Sequence, residues 1–263
     1  MVHSSDTKIG GAGREFPVTD WSSLLHLRDP GDPAYARTLN RLAERYWKPA
    51  YHYVRALRRA SVEEAKDLTQ QFFAMLLSRG DLARLSRERG SFRGFLKAAL
   101  RNFLVSAYRA RKARLPREGV HLLHLAWDDT REELREPPSP GEDPARVFDR
   151  EWARGVLLDA VRSLESVLAA DGKRLHYDIF REYCRIPEGE GSSLDATRRF
   201  FCPAGPSPTY ADLAARYGIR QSDVRNYLHA CRRRLRQILC ASIRGYVAHE
   251  EEVEAELRFL LSP

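Results

Sequence analysis

Apolar residues recur three and four positions apart along six stretches of the chain: residues 42–57, 65–77, 92–107, 152–168, 210–217 and 224–239. That period lays one face of an α-helix against a core, and no stretch shows the period-two alternation of a half-buried strand. The predicted fold class is therefore all-α, with two small helical domains joined by a linker. Pro49 falls inside the first stretch, in RYWKPAYHYV, where its ring and missing N–H should kink or divide the helix.

Local signals sharpen two of these stretches. In PTYADLAARYGIRQSDVRNYLHACRRRLRQIL, Thr209 and Asp212 have the spacing of a capping box. The hydroxyl can accept a backbone N–H while the carboxylate three residues on reaches back. Gly218 should end that helix in the left-handed conformation glycine adopts without penalty, and Ser222 should cap the next. Ala214 is small enough for the two helices to cross closely, and Val224 is expected to bury against the first. Together these give the spacing of a helix-turn-helix. Upstream, Ser61 and Glu64 repeat the capping pattern ahead of a core face of Ala65, Leu68, Phe72 and Leu76, which turns Asp67, Gln70 and Gln71 outward.

Charge adds a partner class to this picture. The chain has 44 Lys+Arg against 36 Asp+Glu, a balance that favours a polyanion such as nucleic acid. Between residues 84 and 117 there are eleven Lys/Arg and one acid, Glu88. Between residues 216 and 236 there are seven arginines and one acid, Asp223. Residues 118–151, with REPPSPGEDP at their centre, instead carry ten acids and four arginines. Two basic modules joined by an acidic, proline-rich linker fit this distribution.

Composition also argues against several classes. The opening residues lack the apolar core of a signal peptide, and no run reaches the roughly 20 apolar residues of a membrane span; a soluble, cytoplasmic protein without a membrane partner is expected. Cys184, Cys202, Cys231 and Cys240 form no CxxC pair and read as reduced and structural. GGAGREF has no preceding strand and no GK[ST], so a phosphate loop is not expected. His121 and His124 have no third ligand at suitable spacing, and neither GxSxG nor HExxH occurs. Neither catalysis, a metal nor a cofactor is expected.

Nucleic-acid chemistry is the better match. In the second helix of the C-terminal pair, Val224, Tyr227, Leu228, Cys231 and Leu235 share a face. Gln221, Ser222, Arg225 and Asn226 can then offer donors to base edges in a major groove, while later arginines grip phosphates. In FRGFLKAALRNFLVSAYRARKARL, Phe92, Phe95, Leu96, Ala99, Phe103 and Ala107 form a stripe, with Arg93, Lys97, Arg101, Asn102, Tyr108 and Arg109 largely off it. A basic helix with aromatics near its entrance can hold a phosphate backbone and stack unpaired bases, although aromatics at this spacing also serve as plain core.

KDLTQQFFAMLL, FRGFLKAALRNFLVSAYRARK and YADLAARYGIRQSDVRNYLHACRRRLRQIL, in this order and with this linker, resemble regions 2 and 4 of bacterial extracytoplasmic-function (ECF) sigma factors of the sigma-70 family. The resemblance implies an N-terminal extension at residues 1–39, region 2 at 40–115, a linker at 116–150, region 4 at 151–240 with its helix-turn-helix at 209–239, and an acidic C-terminal helix or tail at 241–263. It implies core RNA polymerase as partner, through the β′ clamp helices and the β flap, together with promoter DNA and an anti-sigma factor or other regulator. Asp67, Gln70, Gln71 and Phe73 would dock on polymerase. Arg89, Arg93, Phe95, Lys97, Arg101, Asn102 and Arg109 would capture and melt the −10 element. Gln221, Ser222, Arg225, Asn226, His229, Arg232 and Arg233 would read the −35 element.

The chain departs from the family at several of these positions. It has Lys66-Asp67 where members commonly have Glu-Asp, Gln70-Gln71 for Gln-Glu, Phe95 for a tryptophan, and Tyr227 for an arginine. A helix-turn-helix regulator that binds duplex DNA without polymerase is the alternative. Val247 and, in the tail HEEEVEAELRFLL, Val253, Leu257 and Leu260 lie at near-helical spacing beneath a row of glutamates. The tail reads either as a last packing helix or as an acidic segment that masks a basic DNA-binding surface or binds a regulator.

Overall fold

A computed structural model describes residues 8–9, 26–29, 31–58, 60–78, 91–112, 126–127, 141–186, 208–247 and 249–261. Arg89, His121, His124, Cys202 and the glycines of GGAGREF lie outside them. The architecture is all-α. Its helices are α1 (Tyr35–Arg58), α2 (Val62–Ser78), α3 (Phe92–Lys112), α4 (Pro144–Ala170), α5 (Arg174–Cys184), α6 (Tyr210–Tyr217), α7 (Gln221–Arg244) and α8 (Glu252–Leu261). A 3-10 turn, His26–Arg28, precedes α1. Among the described residues the β structure is a two-residue parallel pairing of Lys8–Ile9 with Ala126–Trp127, too short to alter the class. No helix among the described residues is long and apolar enough to cross a membrane.

The chain forms two compact units that meet in sequence between Trp152 and Ala153. The division falls inside α4, which starts at Pro144, within the stretch expected to be linker. The start has a local cause: Asp143 Oδ1 accepts from Ala145 N at 3.0 Å, and Pro144 takes the first helical position, where its missing N–H is not needed.

In the first unit, α1 and α2 pack along each other, with α3 and the start of α4 closing an aromatic core. Tyr46 meets Phe92 edge-on at 5.2 Å, Phe72 meets Phe73 at 5.3 Å and Phe103 at 5.8 Å. Phe148 of α4 meets Tyr46 and Tyr53, each at 6.4 Å. The helix runs through Pro49 without being divided. Ser61 Oγ accepts from Glu64 N at 3.2 Å, capping α2 as its sequence predicts.

In the second unit, α4 turns into α5 through Gly172, whose φ of 69° suits a residue without Cβ. The turn closes when Lys173 N donates to Leu168 O at 2.7 Å. Helix α7 is the spine of this unit, with α5, α6 and α8 all packed against it. Val224, Leu228, Cys231, Leu235, Leu239 and Ile243 are its buried face.

Candidate nucleic-acid interface

The short-turn helix pair forms as its sequence dictates, with one change. Thr209 Oγ1 accepts from Asp212 N at 3.1 Å while the Asp212 carboxylate accepts from Thr209 N at 2.8 Å. The Thr209 hydroxyl also donates to that carboxylate and, as the largest cause, holds its pKa below the ordinary value. Gly218 ends α6 at φ 65°, ψ 35°, its N–H returning to Ala214 O. Ser222 does not cap α7. Arg220 is the residue in the extended cap conformation, and the Asp223 carboxylate accepts from Arg220 N at 3.1 Å. With Asp223 three residues on, the acid supplies the reciprocal half of the box and the helix begins one residue before Ser222. Val224 and Ala214 are buried where the two helices meet, as expected.

Two further contacts hold α6 in place. Tyr217 OH donates to Glu182 Oε2 of α5 at 3.0 Å, and Arg216 pairs with the same carboxylate. Tyr227 of α7 lies stacked on His176 of α5, ring centroids 3.8 Å apart at 18°. Burial of His176, aided by the positive charge of Lys173, lowers its pKa from the ordinary imidazole value. Burial likewise pushes the Cys184 and Cys231 thiols up to about 12, so both stay protonated and unreactive.

The sequence-predicted set on α7 is left to solvent. Gln221, Ser222, Arg225, Asn226, His229, Arg232 and Arg233 are all exposed. At about 100° per residue they lie within an arc of about 140°, beside the buried face. The Arg232 guanidinium sits 5.5 Å from the centroid of Tyr183, which orients it at the edge of the arc. Donors over three turns of one exposed helix face can meet both base edges and phosphates.

The first unit departs further from expectation. Of the four residues assigned to polymerase docking, Asp67 is exposed and Gln70 and Gln71 are half-buried on α2. Phe73 is not at the surface: it is 1% exposed and packs on Trp47 at 6.0 Å as well as on Phe72. Phe72 and Phe73 both face inward because α1 and α3 each supply an aromatic wall; Leu68 is the residue that drifts half out.

Of the residues assigned to the −10 element, two are drawn into the protein. Lys97 Nζ donates to both carboxylate oxygens of Asp149, at 2.8 and 2.7 Å. Arg93 Nε lies 3.3 Å from the same carboxylate, and its guanidinium stands 4.3 Å from the centroid of Trp152. Phe95 is half-buried, stacked on the core residue Phe92 at 6.0 Å. Arg101 and Asn102 are exposed side by side, and Arg109 is exposed about two turns later. Between them stand Val105 and Tyr108, the latter 55% exposed. The core register of α3 runs through Leu96, Leu100, Phe103 and Leu104 rather than through Phe95, Ala99 and Ala107, which are half-buried.

Sequence reasoning did not find Asp149, Trp152 or Glu182. Asp149 and Glu182 act on partners dozens of positions away, for which no local pattern exists. Among the described residues no group of three His, Cys, Asp or Glu side chains is arranged to hold a metal. No protein-family model, curated protein or solved structure matches the chain, and any functional reading rests on the ordered motifs and on the geometry of these helices.

Proposed function

We propose that the chain is an ECF-type sigma factor: it binds core RNA polymerase, α7 reads the upstream promoter element, and α3 holds the downstream element as it opens. The observation that carries this reading is the arc on α7, where all seven side chains assigned to base and phosphate contact point outward from a capped short-turn pair. Gln221, Arg225 and Asn226, at the start of α7, reach base edges; Arg232 and Arg233 contact phosphates. On α3 the contact to the opened strand falls to Arg101, Asn102 and Arg109, with Tyr108 offering a ring on which a base can stack. A base held in this way offsets the cost of leaving its stack.

A second reading is favoured by the burial of Phe73, which reduces the polymerase-docking set to Asp67, Gln70 and Gln71 on α2. In that reading the chain is a duplex-binding regulator that uses the same α7 arc without polymerase.

Transcription by core polymerase on a promoter library, with wild type and Asp67→Lys, separates the two. A sigma factor yields start-site-specific transcripts that Asp67→Lys reduces by weakening polymerase association, because a cation replaces an exposed carboxylate on the docking helix. Sequence-selective duplex binding without transcripts and without co-purification of polymerase would establish the regulator instead.

A further inference from the structure

Helix α8 packs on the distal half of α7 through Val253, Leu257 and Leu260, all buried. It therefore holds its glutamates beside a basic helix. Two of the acids in this segment engage α7 directly: Glu254 pairs with Arg236, and Glu250, just ahead of α8, accepts from Arg244 Nε at 2.9 Å and from its Nη2 at 2.7 Å. The Arg244 guanidinium, as the largest cause, lowers the Glu250 pKa from its ordinary value. Arg236 lies within the arc that also carries Arg225, His229, Arg232 and Arg233, one turn beyond Arg232. Arg244 follows at the edge of the same arc, about 12 Å further along at about 1.5 Å per residue.

We infer that Arg236 and Arg244 extend the polyanion-binding face of α7, and that the carboxylates of Glu254 and Glu250 occupy it as internal substitutes for phosphate. The inference rests on the DNA-binding reading of α7. Its energetic logic follows from exposure. The Arg236 and Glu254 side chains are 56% and 59% exposed, and an ion pair this open contributes little in water and exchanges readily for a phosphate oxygen. What persists after exchange is the placement of the acids. The buried leucines and Val253 keep α8 docked, so Glu250, Glu251, Glu252 and Glu254 remain beside any DNA that reaches the end of the arc and repel it. The effect is graded rather than all-or-none. It bears most on sequence-independent binding, which is nearly all phosphate contact, and least on base contacts at the start of α7.

The test uses the full chain and a mixed-sequence duplex, with binding followed by fluorescence anisotropy across a KCl series. Glu254→Gln and the pair Glu250→Gln/Glu254→Gln keep side-chain size while removing charge. The double variant is expected to bind about fivefold tighter at low salt, with a salt slope steeper by about 1–2 as the freed arginines reach phosphates. Adding Arg236→Gln to Glu254→Gln should return the affinity to wild type or below. Unchanged curves in both glutamate variants, with helicity by circular dichroism equal to wild type, would overturn the inference and leave α8 as packing alone. A drop in affinity would overturn it too. If wild type binds no duplex but the double variant does, the masking is stronger than argued and the inference stands; if neither binds, it falls together with the DNA-binding reading.

Discussion

Helices α3 and α7 are both long, basic and amphipathic, 21 and 24 residues respectively, yet they offer their charge in opposite ways. On α7 Arg225, Arg232 and Arg233 of the outer arc stand in solvent, and the nearby acid of its first turn, Asp223, is spent on the backbone N–H of Arg220. On α3 the first two cations are turned inward to one carboxylate, Asp149, and one indole, Trp152. Only the later turns, with Arg101, Asn102 and Arg109, face outward. A count of lysines and arginines ranks the two segments as equally suited to a polyanion. The count misleads because the availability of a cation depends on whether the fold brings it a carboxylate, and Asp149 lies 52 residues from Lys97.

The largest test of this contrast is on the cores that set the two faces. Leu228→Ala removes a fully buried side chain from the inner face of α7 and is expected to cost about 2–5 kcal/mol of stability. The arc should lose its alignment with it, and duplex binding should fall. Leu100→Ala removes an equally buried leucine from α3 at a similar cost, but should leave duplex binding by the folded protein within about twofold. Urea unfolding followed by circular dichroism, with anisotropy on the same samples, reads both. A parallel loss of duplex binding in the two variants would mean that α3 shares the duplex contact.

A smaller effect separates cations offered to solvent from cations held by the fold. Arg225→Ala should cost about 1–3 kcal/mol on the preferred duplex and blunt its sequence preference. Arg233→Ala should weaken all sequences alike and lower the salt slope by about 1. Lys97→Met should change duplex affinity by less than about 0.5 kcal/mol, since its ammonium already rests on Asp149. Competition binding with preferred and scrambled duplexes distinguishes the three. A loss for Lys97→Met as large as that for Arg225→Ala would show that the Asp149 pair opens to DNA.

Legibility in the sequence followed the range of each interaction. The capping box at Thr209 and the left-handed turn at Gly218 were readable because every partner lies within four residues. The inner and outer faces of α7 were readable from a single period. The cap of α7 was misplaced by two residues because Ser222 and Arg220 both precede acceptable helix starts, and the deciding group, Asp223, caps through its own side chain. Helix α4 carried its own start signal, Asp143 followed by Pro144, inside a stretch whose prolines and acids read as linker. Phe73 and Phe72 are adjacent, and periodicity alone sends just one of them inward. That both are buried depends on aromatic walls supplied by Trp47 of α1 and Phe103 of α3, which no local window contains.

The subtlest expected effect concerns how α7 is held rather than what it presents. His176 is stacked on Tyr227, and its Nδ1 is buried without a hydrogen-bond partner. Burial disfavours the charged ring first, and protonation would also place a second cation near Lys173, so the ring stays neutral more readily despite the aromatic face beside it. The sign follows from linkage. A histidine whose folded pKa lies below its unfolded value of about 6.5 contributes stability that is fully present above that value and is lost as pH falls through the folded pKa. The wild type should therefore melt at lower temperature as pH drops from 7.5 to 5.5, by more than His176→Phe, which keeps a ring against Tyr227 but cannot titrate. Thermal midpoints by circular dichroism at the two pH values read the difference. A steeper fall in His176→Phe than in the wild type would mean that the imidazolium is accommodated by Tyr227, and that the stack serves as a cation site rather than as a neutral packing contact.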